Sequence, residues 1–590
     1  MILAAADRVA GRSAYRRAPQ ARPIDLRLDA NEGRGPDGQW LEDALRQTVA
    51  SVGAYPDASA LETLLAERWL GARGGDTDAA ARVVVTAGAD DALARICQAW
   101  LQPGRRALLT SPTFEMIERY IRLSGGDAVP VPWLEGPFPT RAMLACMTAD
   151  TALVFIVSPN NPTGGVAEVD DLTELSAAAA QVGALVVLDG AYAEFADADL
   201  TPAALQLPNV IVVRTFSKAW GLAGLRVGYA IAPTAACAGF LRAVGQPYAV
   251  SGVSLAVAQR CLREGEAEQA RAVARVRQER ARLTRTLQEL GTRPIASQAN
   301  LVLTRFGRGG AAAGAWAADA LAGLGIAVRR YDTGELAGMV RVSCPGDEAA
   351  LERLEGVLRS ALRPEALLFD LDGVLADVSQ SYRRAIVETC ALYGVDLGPA
   401  DVAAAKAAGN ANNDWVLTQR LLAARGINRP LAEVTAAFER PYHGDGTRPG
   451  LCANERLLTT RAFLDGLRKR LPLAIVTGRP RADAEAFLRA HGIEDCFSAL
   501  ICMEDGPPKP DPAVVHLALA RLNVRYAWMI GDTVDDVRAA RSAAVVPIGV
   551  CPPGEVLEQS RHTLTASGAA RVLANVEELT GLLDLTGATS

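Results

Sequence analysis

Residues 212–226 read Val-Val-Arg-Thr-Phe-Ser-Lys-Ala-Trp-Gly-Leu-Ala-Gly-Leu-Arg, and this stretch decides the fold of the first part of the chain. Its apolar start predicts a strand that ends near Ser217 and Lys218, and Arg226 follows eight positions after the lysine. A lysine at a strand end beside a pocket can form a Schiff base with an aldehyde. Ser217 and Arg226 could hold a phosphate through charge-assisted hydrogen bonds. Taken alone, the stretch is equally consistent with a surface lysine and a structural arginine.

A second strand ends in a carboxylate, since residues 186–192 read Val-Val-Leu-Asp-Gly-Ala-Tyr. An aspartate at the end of a buried strand can stay ionised where it faces a protonated pyridine nitrogen, and that pairing makes the ring an electron sink. Tyr192 could bond a phenolic oxygen of the same ring. The alternative for Asp189 is a turn residue at a strand end.

Three further motifs accompany these strands. Asn161, in Ser158-Pro-Asn-Asn-Pro-Thr-Gly164, could offer an amide to the phenolic oxygen, although such a loop is also typical of a plain turn. Residues 86–91 lead into a helix, whose first backbone N–H groups suit a phosphate. Phe114 could stack on a ring, but taken singly it is better explained as a core residue.

Together these motifs resemble the fold-type-I aminotransferases, and specifically the histidinol-phosphate aminotransferase family, over nearly all of residues 13–362. The resemblance implies pyridoxal phosphate as cofactor, with Lys218 as Schiff-base lysine and proton carrier. That role suits a region without histidine, because all four histidines lie in the last third of the chain. The residues implied to hold the ring are Phe114, Asn161, Asp189 and Tyr192, and those implied to hold the phosphate are Ala89, Asp90, Ser217, Arg226 and, across a dimer interface, Tyr55.

The same resemblance implies a substrate site. Arg341 matches the arginine that grips the carboxylate of the amino donor, here glutamate. Tyr15 and Arg329 match positions that meet the phosphorylated substrate, and Asn31 matches a residue near it. The alternative for both arginines is a salt-bridged surface position, and it carries more weight at Arg329.

A fresh strand begins after Pro364, so we place a domain boundary at 362–366 and predict domains at 1–362 and 366–590. Alternating apolar strands and helices predict an α/β fold with sheets covered on both faces. Residues 255–290 predict one long charged helix, and 346–362 a closing helix. Residues 380–460 are helical with few strand runs, which predicts an inserted cap.

The second domain repeats a pattern of polar groups at strand ends. Two carboxylates lie two positions apart in Phe369-Asp-Leu-Asp-Gly373, and Val476-Thr-Gly-Arg, Lys509-Pro-Asp-Pro and Ile530-Gly-Asp-Thr-Val-Asp-Asp536 follow. Ligands bind outside the carboxyl ends of parallel strands. A carboxylate nucleophile, a carboxylic acid, a lysine and oxygen ligands for magnesium suit the hydrolysis of a phosphate ester. A single Asp-x-Asp is commonly a solvated turn, but four elements in this order argue against that interpretation.

These motifs resemble the phosphatases of the haloacid dehalogenase superfamily with a helical cap, over residues 366 to about 580. The resemblance implies Asp370 as nucleophile and Asp372 as acid and base, which favours a phosphatase over a dehalogenase. The groups implied to bind phosphate are Thr477 and Lys509, and those implied at the magnesium ion are Asp370, Asp532, Asp536 and the backbone carbonyl of Asp372. The cap residues Asn412, Asn413 and Asp414 are candidates for reading the substrate, or are helix caps in a loop.

The whole chain is therefore interpreted as a bifunctional enzyme: a pyridoxal phosphate aminotransferase followed by a Rossmann-like haloacid dehalogenase domain with an inserted helical cap. The resemblance implies formation of histidinol phosphate from imidazole acetol phosphate and glutamate. Hydrolysis of that product to histidinol by the second domain is a hypothesis that links the two activities. Other phosphorylated amino or keto compounds, a decarboxylase specialisation, or one domain serving only as a binding module stay open.

The composition restricts the classes of molecule that the chain is expected to bind. A formal net charge of −6 with mixed signs argues against nucleic acid, and no apolar run reaches the length of a membrane span. The start of the chain lacks the apolar core of a signal peptide, and the ten cysteines are scattered, so we expect reduced thiols in a cytoplasmic protein. The expected partners are small molecules and a second copy of the chain.

Overall fold

The computed structural model describes residues 8–9, 14, 21–46, 48, 52–72, 76–307, 309–444 and 449–586. The chain divides into two compact units that interleave along the sequence. The described residues of the first unit come from Met1–Arg17, Leu28–Arg305 and Tyr331–Leu351, and those of the second from Ala18–Arg27, Phe306–Arg330 and Glu352–Ser590. No helix in these described ranges is long and apolar enough to cross a membrane.

The regular elements alternate along both units. The strands are β1 (Leu26–Leu28), β2 (Val83–Thr86), β3 (Arg106–Ser111), β4 (Asp127–Pro132), β5 (Thr151–Val157), β6 (Leu185–Asp189), β7 (Val210–Thr215), β8 (Gly228–Ile231), β9 (Thr292–Pro294), β10 (Leu301–Phe306), β11 (Ile326–Arg330), β12 (Val340–Ser343), β13 (Ala366–Phe369), β14 (Ala376–Asp377), β15 (Arg456–Leu457), β16 (Leu473–Val476), β17 (Ala499–Ile501), β18 (Ala527–Gly531), β19 (Val546–Val550) and β20 (Arg571–Leu573).

The helices are α1 (Gly38–Arg46), α2 (Ser59–Leu70), α3 (Thr77–Ala81), α4 (Ala89–Trp100), α5 (Glu115–Leu123), α6 (Thr140–Cys146), α7 (Val169–Gln181), α8 (Thr201–Ala204), α9 (Ala235–Val244), α10 (Gly252–Glu264), α11 (Glu266–Glu289), α12 (Gly310–Gly323), α13 (Glu348–Leu362), α14 (Tyr382–Leu392), α15 (Pro399–Ala407), α16 (Asp414–Ala423), α17 (Leu431–His443), α18 (Arg461–Arg468), α19 (Arg481–Ala490), α20 (Ala513–Leu522), α21 (Val534–Ser542), α22 (Leu557–Ser567) and α23 (Leu579–Leu583).

The first unit is built on a seven-stranded sheet in the order β2-β8-β7-β6-β5-β3-β4. Its strands from β7 through β4 run parallel, and β8 is antiparallel to both β7 and β2. The residues of β5 and β7 are buried along their whole length. Both faces are therefore covered, which explains the nearly uninterrupted apolar runs in the sequence.

The long charged helix predicted for residues 255–290 is wrong in one respect, because it is broken in two. Helix α10 ends at Glu264 and α11 begins at Glu266, with Gly265 between them. A Cβ atom at Gly265 would lie 2.8 Å from the carbonyl oxygen of Cys261, so only glycine fits this close turn. The closing helix predicted for 346–362 is α13.

The second unit is built on a six-stranded parallel sheet in the order β17-β16-β13-β18-β19-β20. The short strands β14 and β15 pair antiparallel, Ala376 opposite Leu457. Helices α14 to α17 lie in the sequence between these two strands, where we predicted an inserted cap. The domain limits proposed from the sequence stay a prediction, since the junction at 362–366 lies inside this unit.

Two earlier stretches of chain also belong to the second unit. Trp316 of α12 meets Trp528 of β18 edge to face, with ring centroids 4.7 Å apart. The indole of Trp316 donates to the carbonyl of Ala361 (3.0 Å), and that of Trp528 donates to the carbonyl of Ser360 (2.7 Å). Both tryptophans are fully buried, so this contact forms a core between α12, α13 and the parallel sheet.

We therefore expect Trp316→Ala to destabilise the second unit, although the residue precedes β13 by some fifty positions. Loss of a fully buried tryptophan costs about 3–5 kcal/mol. Calorimetry together with limited proteolysis should show earlier unfolding of residues 364–586 in the variant. Trp100→Ala, in the first unit, is the matched control. An unchanged second-unit transition in Trp316→Ala would contradict the shared core.

Candidate active sites

The first site contains a cradle at the start of helix α4. Gly88 precedes the helix with a φ of 85°, and a Cβ atom there would lie 2.6 Å from Nη2 of Arg226. The guanidinium of Arg226 donates to Ser217 Oγ (3.3 Å) and to Asp90 Oδ2 (3.1 Å). The free N–H groups of the helix start, a hydroxyl and a guanidinium thus lie together, as an anion site requires.

Asp189 ends strand β6 and is buried. Its Oδ1 accepts a hydrogen bond from the backbone N–H of Ala191 at 3.0 Å. Burial raises the pKa of Asp189 to about 6. Within the described part of the chain this carboxyl forms no salt bridge, so it is a buried acid that lacks a paired cation.

Lys218 and Tyr192 lie beside each other in the same unit. The Lys218 ammonium is 5.5 Å from the centre of the Tyr192 ring and donates to the carbonyl of Ala30 (3.2 Å). The Tyr192 hydroxyl accepts from the side-chain amide of Asn31 at 3.1 Å. Asn31 is itself held by Ser343, so three sequence-predicted residues form one connected group.

Arg341 is buried on β12, and its guanidinium donates to Asn161 Oδ1 and to the backbone carbonyl of Asp29, both at 2.7 Å. Its Nε has no acceptor among the described residues. A buried guanidinium that meets only neutral oxygens retains its positive charge for a carboxylate. The surface salt bridge that we weighed for this residue is not present in the described ranges.

The remaining predicted residues are less closely associated with this group. Tyr55 is 82% exposed and stacks on Tyr248 with ring centroids 4.6 Å apart. Phe114 is half-buried before helix α5 and packs against the apolar core. Arg329 lies on β11, in the second unit, and Tyr15 lies outside the described residues.

These residues fit a phosphorylated, positively charged aromatic aldehyde. The cradle at α4 would take the phosphate, and the buried carboxyl of Asp189 lacks the cation that a protonated ring nitrogen would supply. Lys218 would supply the amine. The roles of the individual residues stay predictions from the sequence.

Asp189→Asn should stabilise the empty protein at alkaline pH. The pKa of Asp189 is raised from 3.8 to about 6, so folding favours the protonated form, and stability falls as pH rises through that window. The shift corresponds to at most about 3 kcal/mol at pH 8. Thermal unfolding of the cofactor-free variant should show a higher melting temperature at pH 8, with a smaller difference near pH 4.

The exposed Asp150 offers the control substitution Asp150→Asn, which should leave that difference unchanged. Equal melting temperatures of Asp189→Asn and the parent protein at pH 8 would contradict a buried ionised carboxylate. The same variant should bind the cofactor more weakly, because it loses the charge that faces the ring nitrogen.

The second site surrounds a buried lysine. Lys509 Nζ lies 2.7 Å from Asp370 Oδ1 and 2.5 Å from Asp536 Oδ1, and it donates to the carbonyl of Val476 (3.0 Å). Asp370 follows β13, and Thr477 follows the neighbouring strand β16. The structure thus brings together the predicted nucleophile and the predicted phosphate-binding residues at one end of the sheet.

Asp370, Asp532 and Asp536 can each place one carboxylate oxygen within 4.8 Å of the others. Oδ1 of Asp532 is buried and has no hydrogen-bond partner in the described part of the chain. Burial and the nearby carboxylate of Asp536 raise the pKa of Asp532 well above its ordinary value. A divalent cation would relieve both the unpaired oxygen and the repulsion, so these residues fit magnesium. The carboxylate of Asp372 instead meets Arg479, and the predicted role of its backbone carbonyl stays a prediction.

The three candidate residues of the cap run, Asn412, Asn413 and Asp414, make different kinds of contact. Asn413 caps α16, its side chain accepting from Val416 N at 3.0 Å, and Asp414 lies 2.9 Å from the buried Lys406. Asn412 packs against Gly478, directly after Thr477, since a Cβ atom on that glycine would lie 2.5 Å from the Asn412 carbonyl oxygen. Asn412 therefore reaches the phosphate-binding loop, whereas Asn413 acts as a helix cap.

Several residues at this site were missed by sequence reasoning. Asp535 is buried and accepts hydrogen bonds from the backbone N–H groups of Asn410 (2.9 Å) and Ala411 (2.8 Å). Arg383, from α14, lies between Asp532 and Glu555. The doubled aspartate at 535–536 was the one sequence feature that pointed to either residue. The partners of Asp535 and Arg383 are far away in sequence, so no local motif reveals these contacts.

Asp535→Ala should loosen the cap run. The substitution leaves the buried N–H of Ala411 and the partly buried N–H of Asn410 without acceptors, at a cost of about 1–3 kcal/mol each. Amide hydrogen exchange of residues 408–414 should accelerate by at least about tenfold. Asp511→Ala, which removes a similar cap at Ala513 in an exposed turn, is the control. Unchanged protection of 408–414 would show that Asp535 does not hold the cap run.

Comparison with known proteins gives two matched regions. Residues 23–358 match the family described as aminotransferase class I and II, and residues 364–544 match the haloacid dehalogenase-like hydrolases. A histidinol-phosphate aminotransferase from Ruegeria pomeroyi is 35% identical over 344 residues, which covers 57% of this chain and 90% of that protein.

A protein named imidazoleglycerol-phosphate dehydratase from Phytophthora nicotianae is 47% identical over 221 residues. The chain spans about half of that relative, 48% of its length, and the match covers 36% of this chain. Among solved structures, the crystal structure of histidinol-phosphate aminotransferase from Sinorhizobium meliloti in complex with pyridoxal-5'-phosphate is 27% identical, with a TM-score of 0.51. The alignment covers 57% of this chain and 92% of that one.

Proposed function

The chain belongs to the class I and II aminotransferases and continues into a haloacid dehalogenase-like hydrolase domain, and on this premise we propose that it makes and then dephosphorylates an amino alcohol phosphate. The predicted fold and the two enzyme classes are confirmed by these matches. Pyridoxal phosphate and Mg²⁺ are the cofactors of the two domains. The proposed first step converts imidazole acetol phosphate and glutamate into histidinol phosphate and 2-oxoglutarate, and the second releases phosphate from histidinol phosphate.

The observation that carries this proposal is the presence of both sites in one chain. The product of the first site would be a phosphate ester, and the second site collects the groups that hydrolyse such an ester. The names of two relatives, histidinol-phosphate aminotransferase and imidazoleglycerol-phosphate dehydratase, both specify imidazole-bearing phosphate esters. This shared chemistry supports the choice of substrate.

The first site would work through residues already described. Bound pyridoxal phosphate supplies an aldehyde for the amino group and a ring that stores an electron pair. The cradle of Ser217, Arg226 and the α4 start would bind its phosphate, and Asp189 would face its ring nitrogen. Lys218 Nζ would carry a proton between the α-carbon of the substrate and the aldehyde carbon of the cofactor, while Arg341 would bind the carboxylate of glutamate.

The second site would hydrolyse the ester in two successive steps. Asp370 would attack phosphorus, forming an aspartyl-phosphate as the bond to the leaving oxygen breaks, and Asp372 would protonate that oxygen. Asp372 would then accept a proton from the water that attacks the aspartyl-phosphate, which frees phosphate and restores Asp370. Thr477 and Lys509 would bind the phosphoryl oxygens, and magnesium, held by Asp370, Asp532 and Asp536, would neutralise their charge.

A homodimer and a cytoplasmic location belong to the same proposal. The exposed aromatic pair Tyr55 and Tyr248 lies on the first unit, and such surface suits contact with a second copy of the chain. That arrangement would let Tyr55 reach the cradle of the partner subunit. All ten cysteines are free, which suits a reducing compartment.

Purified protein with Mg²⁺ should release phosphate from histidinol phosphate, and Asp370→Asn should reduce the rate by at least about a thousandfold, because the amide that replaces the carboxylate is a poor nucleophile. Phosphate release is measured directly. Asp495→Asn, at an exposed ion pair, is the control. Hydrolysis of a generic phosphate ester without hydrolysis of histidinol phosphate would contradict the proposed substrate while leaving the phosphatase chemistry in place.

A further inference from the structure

The guanidinium of Arg479 is an almost completely enclosed charge beside the second site. The side chain is 1% exposed and lies between the rings of Tyr382 and Phe487, with its central carbon 4.9 and 5.3 Å from their centres. Nε donates to Asp372 Oδ1 at 2.5 Å, and Nη1 donates to Glu455 Oε2 at 2.8 Å. A guanidinium removed from water needs such partners, because burial of an unpaired charge is costly.

The backbone of Arg479 is fixed as well. Its N–H donates to Thr477 Oγ1 (3.2 Å), and its carbonyl accepts from the N–H of Met503 (3.0 Å). Hydrogen bonds thus hold Arg479 both at its backbone and at its guanidinium. Asp372, whose side chain is 24% exposed, is the partner that can turn.

We propose that Arg479 is a positioning residue for Asp372 in the hydrolysis of the phosphate ester, an inference that rests on the phosphatase activity proposed above. Arg479 engages Oδ1, and within the described residues Oδ2 has no hydrogen-bond partner. Arg479 therefore fixes the orientation of the carboxyl and leaves Oδ2 as the oxygen that can meet the substrate. In the proposed phosphatase step, Asp372 gives its proton to the leaving oxygen as the bond between that oxygen and phosphorus breaks and the bond from Asp370 forms.

The cap takes part in this arrangement. Glu455, the second partner of Arg479, directly precedes β15, and its Oε1 accepts from the hydroxyl of Tyr442 at 3.1 Å. Tyr442 lies on α17, and Tyr382, whose ring covers the guanidinium, lies on α14. The orientation of Asp372 therefore depends on the cap helices through one buried arginine.

The test compares esters whose leaving groups differ in their need for an acid. An alkyl phosphate requires protonation of the departing alkoxide, whereas 4-nitrophenyl phosphate releases a phenolate that is stable without it. General acid catalysis contributes about 10²–10⁴-fold. We expect Arg479→Gln to lower kcat/KM for an alkyl phosphate by at least about thirtyfold more than for 4-nitrophenyl phosphate, and Asp372→Asn to show the same selective loss.

The double variant Arg479→Gln/Asp372→Asn should then lose no more selectivity than Asp372→Asn alone, because both changes remove the same proton transfer. The control is Arg461→Gln, at an exposed ion pair with Asp495, which should leave the ratio between the two esters unchanged. Equal losses on both esters in Arg479→Gln would overturn the proposal, because they would indicate only structural damage.

Two further measurements cover a variant that does not fold and a parent protein that has no phosphatase activity. Where Arg479→Gln does not fold, Glu455→Gln and Arg479→Lys are compared in the same way, and absence of the selective loss in both would also overturn the proposal. Failure of the parent protein to hydrolyse 4-nitrophenyl phosphate with Mg²⁺ would overturn the phosphatase function itself. That outcome is distinct from an unselective Arg479 variant in an active enzyme.

Discussion

The carboxyl ends of parallel strands determine where chemistry is possible in both units. Strands β6 and β7 end near Asp189 and Lys218, and β13 and β16 end before Asp370 and Thr477. The interiors of these strands are buried and must be apolar, so polar groups can gather only where the strands stop. Helices begin after the same ends, and their free N–H groups add an anion site, as at α4.

Buried charges in the two sites reveal what the sites are built to bind. Lys509 lies between Asp370 and Asp536, so its own charge is paired within the site. Among the described residues Asp189, by contrast, is buried without a salt bridge, and Oδ1 of Asp532 is buried without a hydrogen-bond donor. Burial of such groups costs free energy unless a ligand supplies the missing partner. The unpaired groups therefore mark the places of a cationic ring and of a metal ion.

The second unit shows how a catalytic carboxyl depends on distant parts of the chain. Arg479, which follows a neighbouring strand, orients the carboxyl of Asp372. Side chains from the cap in turn enclose Arg479. The unit also includes α12, whose Trp316 meets Trp528. A side chain at the end of one strand is thus oriented by groups that are more than fifty residues away in sequence. This dependence of one side chain on distant groups requires a packed interior, because only closely packed side chains hold one another in fixed positions.

The sequence by itself determined the α/β class, the strands that end in functional residues, the two enzyme families and their cofactors. Apolar runs and short motifs such as Ser217-Lys218 and Asp370-Leu-Asp372 are local, so they can be recognised without neighbours. Tertiary structure alone decided the break at Gly265, the assignment of residues 306–330 to the second unit, and the partners of Arg479 and Asp535. Those features depend on contacts between residues distant along the chain. Hydrophobic periodicity describes one segment at a time and carries no information about which segments meet.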